Sequence, residues 1–559
     1  MLEAERPTNR VGWLTALALL VVAYGLMLFW RGFFDPDEGR YAEIPREMVV
    51  SGNWLEMRMM GFRYYEKPIL SYWLTAPALA LFGPHDWAAR LPLLLPLLGA
   101  LALAARLVRR WPVSVRRIAL LTMLSTGGFL AGQTILMTDP FLVLWFAVVC
   151  VGLFEAYQPD TSPAAQRRWL LLAAAGAALG FMTKGLVAAV LPAGSLVLWL
   201  LWERRLARLW TWSLLWAVLL FLAILTPWLW WLEQHNPGFA RSFIIDEHFS
   251  RFTGTREAQG HPEPFWFFLT IVPLMLLPWT LYIFRAIRHG RRQHDGLTRF
   301  LLVWAVVVVV FFSISSGKLM SYILPAFLPL GLLLGRWGVA EPLDGTVGDR
   351  RCWMTGVAGA FAVLFALGLL WTASYFLWVS RVPPIARISL LAFLPVAGAL
   401  WCVRRALAAP AGVTLLQVSL LLALALLLSP LAGLDFNVFV HLNNSMLYKQ
   451  IAAQLKPEDQ LVVFYEYRPA LTFYAQRPYI PYQSKNELAF GMAAEPQRRG
   501  SVESIEALRE IVQQCRGRVF ALIDPGDLAQ KVKPLDRYFR PTTFPRTPDT
   551  VVMELKITD

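Results

Sequence analysis

Residues 11–30 read VGWLTALALLVVAYGLMLFW, a run of 20 residues without a single charged side chain. A helix rises about 1.5 Å per residue, so a run of this length crosses the roughly 30 Å hydrocarbon core of a bilayer. Basic residues precede the run, as in a signal peptide, but it is too long for the apolar part of one. We therefore expect it to be a retained membrane-spanning helix.

The same apolar pattern recurs along most of the chain. Further runs of spanning length begin near Trp87, Ile118, Pro140, Trp169, Leu186, Leu214, Phe265, Phe300, Tyr322, Trp353, Ile388 and Val413. A fourteenth candidate, residues 69–83, is shorter than a span usually needs to be. The sequence therefore predicts a polytopic α-helical membrane protein with about 13 transmembrane helices, in which residues 69–83 lie at the membrane interface.

Arginine sets the predicted orientation. Lys and Arg in short loops collect on the cytoplasmic side of a membrane. With 13 spans, the arginine-rich loops fall on the same side as Arg6 and Arg10, whereas a fourteenth span would separate them. We expect a cytoplasmic N-terminus, an external C-terminus and two sizeable outer loops, at residues 31–86 and 233–264.

Composition excludes other classes of protein. The 559 residues are 57% hydrophobic and only 16% charged, whereas soluble proteins carry about 25% charged residues. The net charge of +14 is concentrated before Asp435, where 36 basic residues face 23 acidic ones. A basic excess in the hydrophobic part belongs to the topology of a membrane domain, so we expect no nucleic-acid partner.

The C-terminal part has a different pattern. Residues 461–465 and 519–523 are typical of buried strands, and residues 501–514 have helical spacing with Ile505, Leu508 and Val512 on one face. We predict a transmembrane domain over residues 1–433 and a soluble α/β domain over residues 434–559, separated in part by the polar Asn443–Ser445.

Lysine is rare in the predicted membrane domain. Only Lys67, Lys184 and Lys318 occur there, and the predicted topology places all three at the outer face, which the positive charge bias disfavours. A single lysine at a helix end is usually a snorkelling anchor. Three on the disfavoured side favour an anionic head group as ligand, because lysine is a compact charge suited to phosphate.

Acidic residues lie on the same predicted face. In Asp35-Pro-Asp-Glu-Gly-Arg-Tyr41, a capping box explains Asp35, Pro36 and Glu38 but leaves Asp37 and its neighbour Arg40 as functional candidates.

Other acidic and histidine residues have competing explanations. Asp139 opens a predicted span, so it is either a helix cap or a second catalytic acid. In the second outer loop, the spacing around His248 and His261 matches no recognised metal-ligand pattern.

The placement of these charges separates two functional classes. A transporter has ionisable residues near the midplane of the membrane, often on broken helices. Here they gather at one face, and the apolar runs have few interruptions apart from prolines. The sequence favours an enzyme at the outer surface of the membrane over a flippase or transporter of lipid-linked sugars; a scaffold acting through its C-terminal domain is a third alternative.

Several sequence blocks resemble a known family. Residues 34–54 (FDPDEGRYAEIPREMVVSGNW) and 61–69 (GFRYYEKPI) look like the aminoarabinose (4-amino-4-deoxy-L-arabinose) transferases, GT-C glycosyltransferases related to the protein O-mannosyltransferases. Further similar blocks are MTDP at 137–140, MTKG at 182–185, EHFSRF at 247–252, HPEPFW at 261–266 and GKLMSYILP at 317–325. The resemblance covers about residues 11–335.

The resemblance implies a fold, a location and a reaction. The fold would be GT-C with 13 spans and a periplasmic C-terminal domain, in a monomer within the lipids of the bacterial inner membrane. The donor would be an undecaprenyl-phosphate sugar and the acceptor a phosphate of lipid A, giving resistance to cationic peptides such as polymyxin. Two alternatives stay open: the enzyme transfers another sugar, or the acceptor is a protein, a glycan or another lipid.

The resemblance also implies roles for individual residues. Asp37 and Asp139 would be the catalytic acids of the family pattern. The substrate-binding residues would be Arg40, Tyr41, Lys67, Lys184, Arg251, Lys318 and Tyr322, and of these Lys67, Arg251, Lys318 and Tyr322 would hold the donor phosphate. A divalent cation would sit at Glu66 and His248. Asp37 would be a general base towards a hydroxyl acceptor and a positioning group towards a phosphate.

Overall fold

The structure is a computed structural model that describes most of the chain outside the region between residues 340 and 436. The described residues are 10–29, 31–241, 243–245, 250, 263–277, 279–290, 295–340, 436–484, 486–495, 500–530, 539–544, 547 and 550–556. The predicted spans near Trp353, Ile388 and Val413 lie outside these residues. The described chain divides into two compact units. The second consists of Phe29–Pro92, Ile135–Met137 and the chain from Phe436 onward.

The first unit is helical. Its α-helices are Arg10–Phe29, which ends in the second unit, and then Leu94–Leu107, Val113–Ser125, Gly127–Gly132, Thr138–Ala156, Pro163–Lys184, Val187–Trp202, Trp212–His235, Phe239–Arg241, Phe267–Met275, Ile283–Gly290, Gly296–Ile314 and Leu324–Leu333. Helix starts follow local chemistry: the Ser162 hydroxyl accepts a hydrogen bond from Ala165 N, and Asp295 Oδ1 accepts one from Thr298 N.

Five helical stretches in the described residues are long and apolar enough to cross a membrane. They are Asp86–Arg110, Thr138–Ala156, Trp212–His235, Gly296–Ile314 and Met320–Trp337. Each coincides with a run predicted from the sequence. The Leu70–Phe82 helix has only 13 residues. The described residues therefore form a multi-helix membrane domain, and the number 13 stays a prediction.

Small residues allow the helices of this unit to approach closely. A Cβ atom on Gly152 would lie 2.9 Å from Trp169 O, and one on Gly176 would lie 2.6 Å from Val148 Cγ1. These contacts join the Thr138–Ala156 and Pro163–Lys184 helices. Such packing is characteristic of membranes, where van der Waals contact and not hydrophobic burial drives helix association.

Two predicted runs are interrupted, and the second interruption lies just before a proline, Pro278, in the sequence. The run from Ile118 stops at Ser125 and resumes at Gly127, and the run from Phe265 breaks after Met275. The two breaks face each other: Gly127 N donates to Leu277 O at 2.8 Å and Trp279 Nε1 donates to Ser125 Oγ at 3.0 Å. Unwound backbone is tolerated there because each break supplies partners to the other.

The second unit contains all the described strands. They are β1 (Arg58–Met59), β2 (Phe62–Arg63), β3 (Gln460–Phe464), β4 (Ile480–Tyr482), β5 (Val519–Ile523), β6 (Phe539–Pro541) and β7 (Val551–Leu555). Its α-helices are Asp37–Ser51, Leu70–Phe82, Asp86–Arg90, Phe436–Gln454, Pro469–Ala475, Ala489–Ala494, Ile505–Gln514 and Pro525–Gln530.

Five strands form one mixed sheet in the order β4-β3-β5-β7-β6. β3 pairs in parallel with β4 and β5, whereas β7 pairs antiparallel with β5 and β6. β3 and β5 confirm the two strands predicted from the sequence. The Ile505–Gln514 helix buries Leu508 and Ile511, while Ile505 and Val512 pack at the edge of the same core.

A hairpin from the first outer loop belongs to this unit. β1 and β2 pair with Arg58 opposite Arg63. Met60 and Gly61, the two residues of the turn, have φ values of 56° and 78°, as a type I′ turn requires. Residues 31–86 are therefore packed with residues of the C-terminal domain.

The polar triplet before the C-terminal domain does not act as a spacer. The Phe436–Gln454 helix runs through Asn443–Ser445 without a break. Asn444 Oδ1 accepts a hydrogen bond from Thr547 Oγ1 at 2.9 Å, and Ser445 Oγ donates to Phe33 O at 3.2 Å. Asn444 and Ser445 are buried because they join parts of the second unit.

Candidate active site

Glu38 does not close a capping box, so that part of the sequence-based interpretation is wrong. The helix begins at Asp37 after a cis Asp35–Pro36 bond, and within the described chain no side chain caps it. Glu38 is fully buried and binds Arg31 and Arg90, with Arg31 Nη2 3.0 Å and Arg90 Nε 2.9 Å from Oε1. A buried carboxylate this close to two guanidinium groups is more strongly bound there than at a helix end.

Backbone groups complete the environment of Glu38. Phe34 N and Leu136 N each donate to its carboxylate at 2.8 Å. Burial alone would raise the pKa of Glu38, but the charges of Arg31 and Arg90 outweigh it and hold that pKa well below the ordinary value. Burial, with the charge of Arg90, lowers the pKa of Arg31 to about 10. All members of this cluster are charged at neutral pH.

Asp35 also has a structural partner. Its Oδ1 accepts a hydrogen bond from Ala470 N at 3.0 Å. Ala470 lies in the first turn of the Pro469–Ala475 helix, where backbone N–H groups lack partners within the helix. Asp35 therefore caps a helix of the C-terminal domain and not its own.

Asp37 differs from its acidic neighbours because 51% of its side chain is exposed. Its Oδ1 accepts a hydrogen bond from Arg40 Nη2 at 2.6 Å, one helical turn away. Arg40 itself is buried, and Tyr41 beyond it is buried in a stack with Tyr72 at 5.7 Å between ring centroids. The structure thus presents Asp37 on a rigid helix, with its carboxylate oriented by a fixed guanidinium.

Glu487 is a member of this site that the sequence did not indicate. Its carboxylate forms an ion pair with Arg40 and accepts a hydrogen bond from Tyr64 Oη at 3.2 Å. Burial would raise the pKa of Glu487, but Arg40, and to a smaller degree Lys67, lower it below the ordinary value. No local pattern marks Glu487, because its partners Arg40 and Tyr64 lie 447 and 423 residues before it.

Lys67 follows the hairpin and interacts with the carboxylates of Glu66 and Glu487. Its Nζ donates to Glu66 O at 3.2 Å and lies 4.0 Å from Glu66 Oε2. In the second unit, Arg40 therefore joins Asp37 to Glu487, and the charge of Lys67 acts on the Glu487 carboxylate. Two cations and two acids in one place provide groups for both an anionic head group and a polar sugar.

The first unit contains a second group of predicted residues. Lys184 Nζ forms an ion pair with Asp139 and lies 4.5 Å from the ring centroid of Tyr322. Asp139 is in the first turn of its helix, and its carboxylate is directed to this lysine. The three residues form an acid–cation–aromatic cluster.

Lys318 is held differently. Its ammonium is buried and donates to the carbonyl oxygens of Ser315 and Glu263 at 2.6 and 2.7 Å. Arg251 and His248 lie outside the described residues. The structure therefore groups some, but not all, of the predicted substrate-binding residues.

Only Glu66 of the predicted metal site lies within the described residues, because His248 is outside them. Within the described ranges, no three side chains among His, Cys, Asp and Glu come close enough together to hold an ion. Glu66 lies beside Lys67, and an ammonium group at that position competes with a cation for the carboxylate.

Known proteins resemble the chain over both parts. The family model for dolichyl-phosphate-mannose-protein mannosyltransferase matches residues 12–243, and the model for the aminoarabinose transferase C-terminal domain matches residues 447–532. The first match lies in the membrane part and the second in the C-terminal domain, in the order predicted from the sequence.

Two curated relatives are similar in sequence over part of their length. An undecaprenyl phosphate-alpha-4-amino-4-deoxy-L-arabinose arabinosyl transferase of Pseudomonas fluorescens is 37% identical over 57% of this chain and 55% of its own. The corresponding transferase of Edwardsiella ictaluri is 33% identical over 64% of this chain and 65% of its own. The alignments thus span between half and two thirds of these relatives.

Solved structures extend the similarity to nearly the whole fold. ArnT from Cupriavidus metallidurans bound to undecaprenyl phosphate matches 97% of this chain and 98% of its own, with a TM-score of 0.79 and 27% identity. Its apo state matches with a TM-score of 0.76. Nearly the whole chain is therefore similar in fold to ArnT, and residues 447–532 match the aminoarabinose transferase C-terminal domain as well.

Proposed function

We propose that this protein transfers 4-amino-4-deoxy-L-arabinose from undecaprenyl phosphate to a phosphate of lipid A. The observation that carries the proposal is the match, over nearly the whole chain, to a transferase structure with undecaprenyl phosphate bound. The exposed Asp37 beside Arg40, in the same unit as Lys67, supports it, because these groups suit a sugar joined to a phosphate. The enzyme would work as a monomer of 13 spans in the inner membrane, with its active site facing the periplasm.

The reaction separates charge, and the chain supplies groups for both signs. As an oxygen of the acceptor phosphate bonds to C1 of the sugar, the bond from C1 to the donor phosphate oxygen breaks. Undecaprenyl phosphate then leaves with the electron pair. The sugar develops positive character, which a carboxylate stabilises, and the departing phosphate gains charge, which cations stabilise.

Asp37 and Lys67 fit these two roles. A phosphate acceptor is already an anionic nucleophile, so Asp37 has no proton to remove and orients the sugar or pairs with its amine. Arg40 orients the Asp37 carboxylate, and Lys67 would bind the donor phosphate. The family resemblance implies donor binding by Arg251, Lys318 and Tyr322 as well. By the same resemblance, Asp139 would act as a second catalytic acid, and Lys184, its ion-pair partner, would bind substrate. The divalent ion at Glu66 and His248 stays a prediction. Measuring transfer activity before and after chelation with EDTA tests it.

Reconstitution tests the proposed reaction. We expect the purified full chain in liposomes to convert undecaprenyl-phosphate aminoarabinose and lipid A into modified lipid A and undecaprenyl phosphate. A flippase would move the donor across the bilayer without cleaving it. Donor transport without cleavage would therefore overturn the proposal.

Replacing Lys67 by Ala is expected to weaken donor binding more than acceptor binding. The lysine is a point charge suited to the donor phosphate, and loss of such a charge lowers affinity by roughly tenfold or more. Separate KM measurements for the two substrates check this. Lys449→Ala, at an exposed ion pair with Asp86, is the matched control, and equal losses for both substrates in Lys67→Ala would contradict a donor role.

A further inference from the structure

The Ala489–Ala494 helix of the C-terminal domain packs directly on the hairpin of the first outer loop. A Cβ atom on Gly491 would lie 2.2 Å from Arg63 O and 3.1 Å from Phe62 Cβ. At the first distance a side chain has no room, so the backbone of the helix touches the backbone of β2. Any residue larger than glycine must displace the hairpin or the helix.

A network of charges holds the same contact. Glu495, one residue beyond the helix, lies 3.2 Å from Arg58 Nη2 and 3.6 Å from Arg63 Nε. Glu56 approaches the same two arginines at 2.6 and 3.1 Å. Two acids and two bases therefore alternate across the hairpin, and one of the acids comes from the C-terminal domain. Both acids are buried enough for the network to be only weakly screened by water.

The hairpin leads directly to Lys67. Tyr64 N donates to Met57 O at 2.9 Å, which extends the pairing beyond β2, and Tyr65 Oη donates to Glu56 Oε1 at 3.3 Å. Lys67 follows two residues later. A shift of β2 therefore moves the backbone that carries this lysine, because no flexible linker separates the two.

We propose that Gly491 and Glu495 are positioning residues for the donor phosphate, which act by fixing the hairpin that places Lys67. This inference rests on the proposed function, since it assigns Lys67 to the donor. It gives the C-terminal domain a part in donor binding through two residues that touch no substrate themselves. Replacing either residue should weaken donor binding only through the Lys67 side chain. A residue that merely stabilised the fold would not depend on Lys67 in this way.

Gly491→Ala tests the proposal, with Gly500→Ala as its matched control. A Cβ atom on Gly500 would lie 3.5 Å from Met492 Cγ, an ordinary contact. Because Gly491→Ala acts through Lys67, we expect it to raise the Kd for undecaprenyl phosphate by about tenfold, the loss expected for removal of the lysine charge itself. Gly500→Ala should stay within about twofold of wild type, and the KM for lipid A should be unchanged in both. Donor binding by Gly491→Ala equal to that of wild type would overturn the inference.

A double variant separates positioning from loss of structure. In the Lys67→Ala background, adding Gly491→Ala should cause no further loss of undecaprenyl phosphate binding, because the group being positioned is gone. Glu495→Gln, which keeps the shape of the side chain, should behave in the same way and serves if Gly491→Ala fails to fold. Losses that multiply in the double variants would contradict the proposal. Failure of the wild-type protein to bind undecaprenyl phosphate would instead count against the proposed function.

Discussion

Asp37→Asn is expected to lower the rate of transfer by roughly 10²–10⁴-fold while the protein folds normally. The substitution removes the negative charge that we propose orients the sugar, and it keeps the size of the side chain. It also weakens the ion pair with Arg40, but Arg40 retains Glu487 as its partner. An ion pair with a half-exposed partner contributes at most about 1 kcal/mol to stability, so the effect falls on catalysis.

The measurement is kcat in the reconstituted transfer assay, together with thermal unfolding in detergent. Asp160→Asn, at an exposed position in another loop, is the control and should match wild type in both. Transfer at the wild-type rate by Asp37→Asn would remove this residue from the reaction centre. A large fall in melting temperature would instead assign it a structural role.

Glu38→Gln is expected to have the largest effect on stability, about 3–5 kcal/mol. The substitution leaves the buried guanidinium groups of Arg31 and Arg90 without their shared counter-charge. It also weakens the acceptor for Phe34 N and Leu136 N. Thermal unfolding and the yield of protein in the membrane check this, with the exposed Glu510→Gln as control. An unchanged melting temperature would contradict the importance of the buried cluster.

The same cluster gives a pH dependence of known sign. The pKa of Glu38 is lower in the folded protein than in the unfolded chain, where it is about 4.3. Its contribution to stability is therefore complete above that value and is lost as the pH falls through the folded pKa. We expect wild type to keep this contribution at pH 5, and the stability difference between wild type and Glu38→Gln to shrink only at lower pH.

Local patterns predicted the elements of the fold well. The apolar runs of the membrane part and the strands β3 and β5 depend on the residues within each segment, so their spacing is visible in the sequence. The break near Ser125 has no local signal, because the side chain that bonds to it, Trp279, lies 154 residues away. A backbone partner more than a hundred residues away leaves no periodic signal.

The candidate site was predictable where a family motif covers it. Asp37, Arg40 and Lys67 stand in such motifs, and the structure gathers them in one unit. A capping box does not describe the role of Glu38. That motif is a local pattern, whereas Arg90, a partner of Glu38, is 52 residues away. Glu487 and Gly491 lie more than 400 residues beyond the segments they contact, and only the folded chain brings them there.

The most direct test of the account is the mass of lipid A from cells with and without this gene. We expect a mass increment of one aminopentose on lipid A phosphates when the wild-type gene is present, and its loss when the gene carries Asp37→Asn. That result would establish the sugar and the acceptor together. Unmodified lipid A in both strains, with the increment on another envelope glycan or protein, would contradict the assignment of lipid A as acceptor.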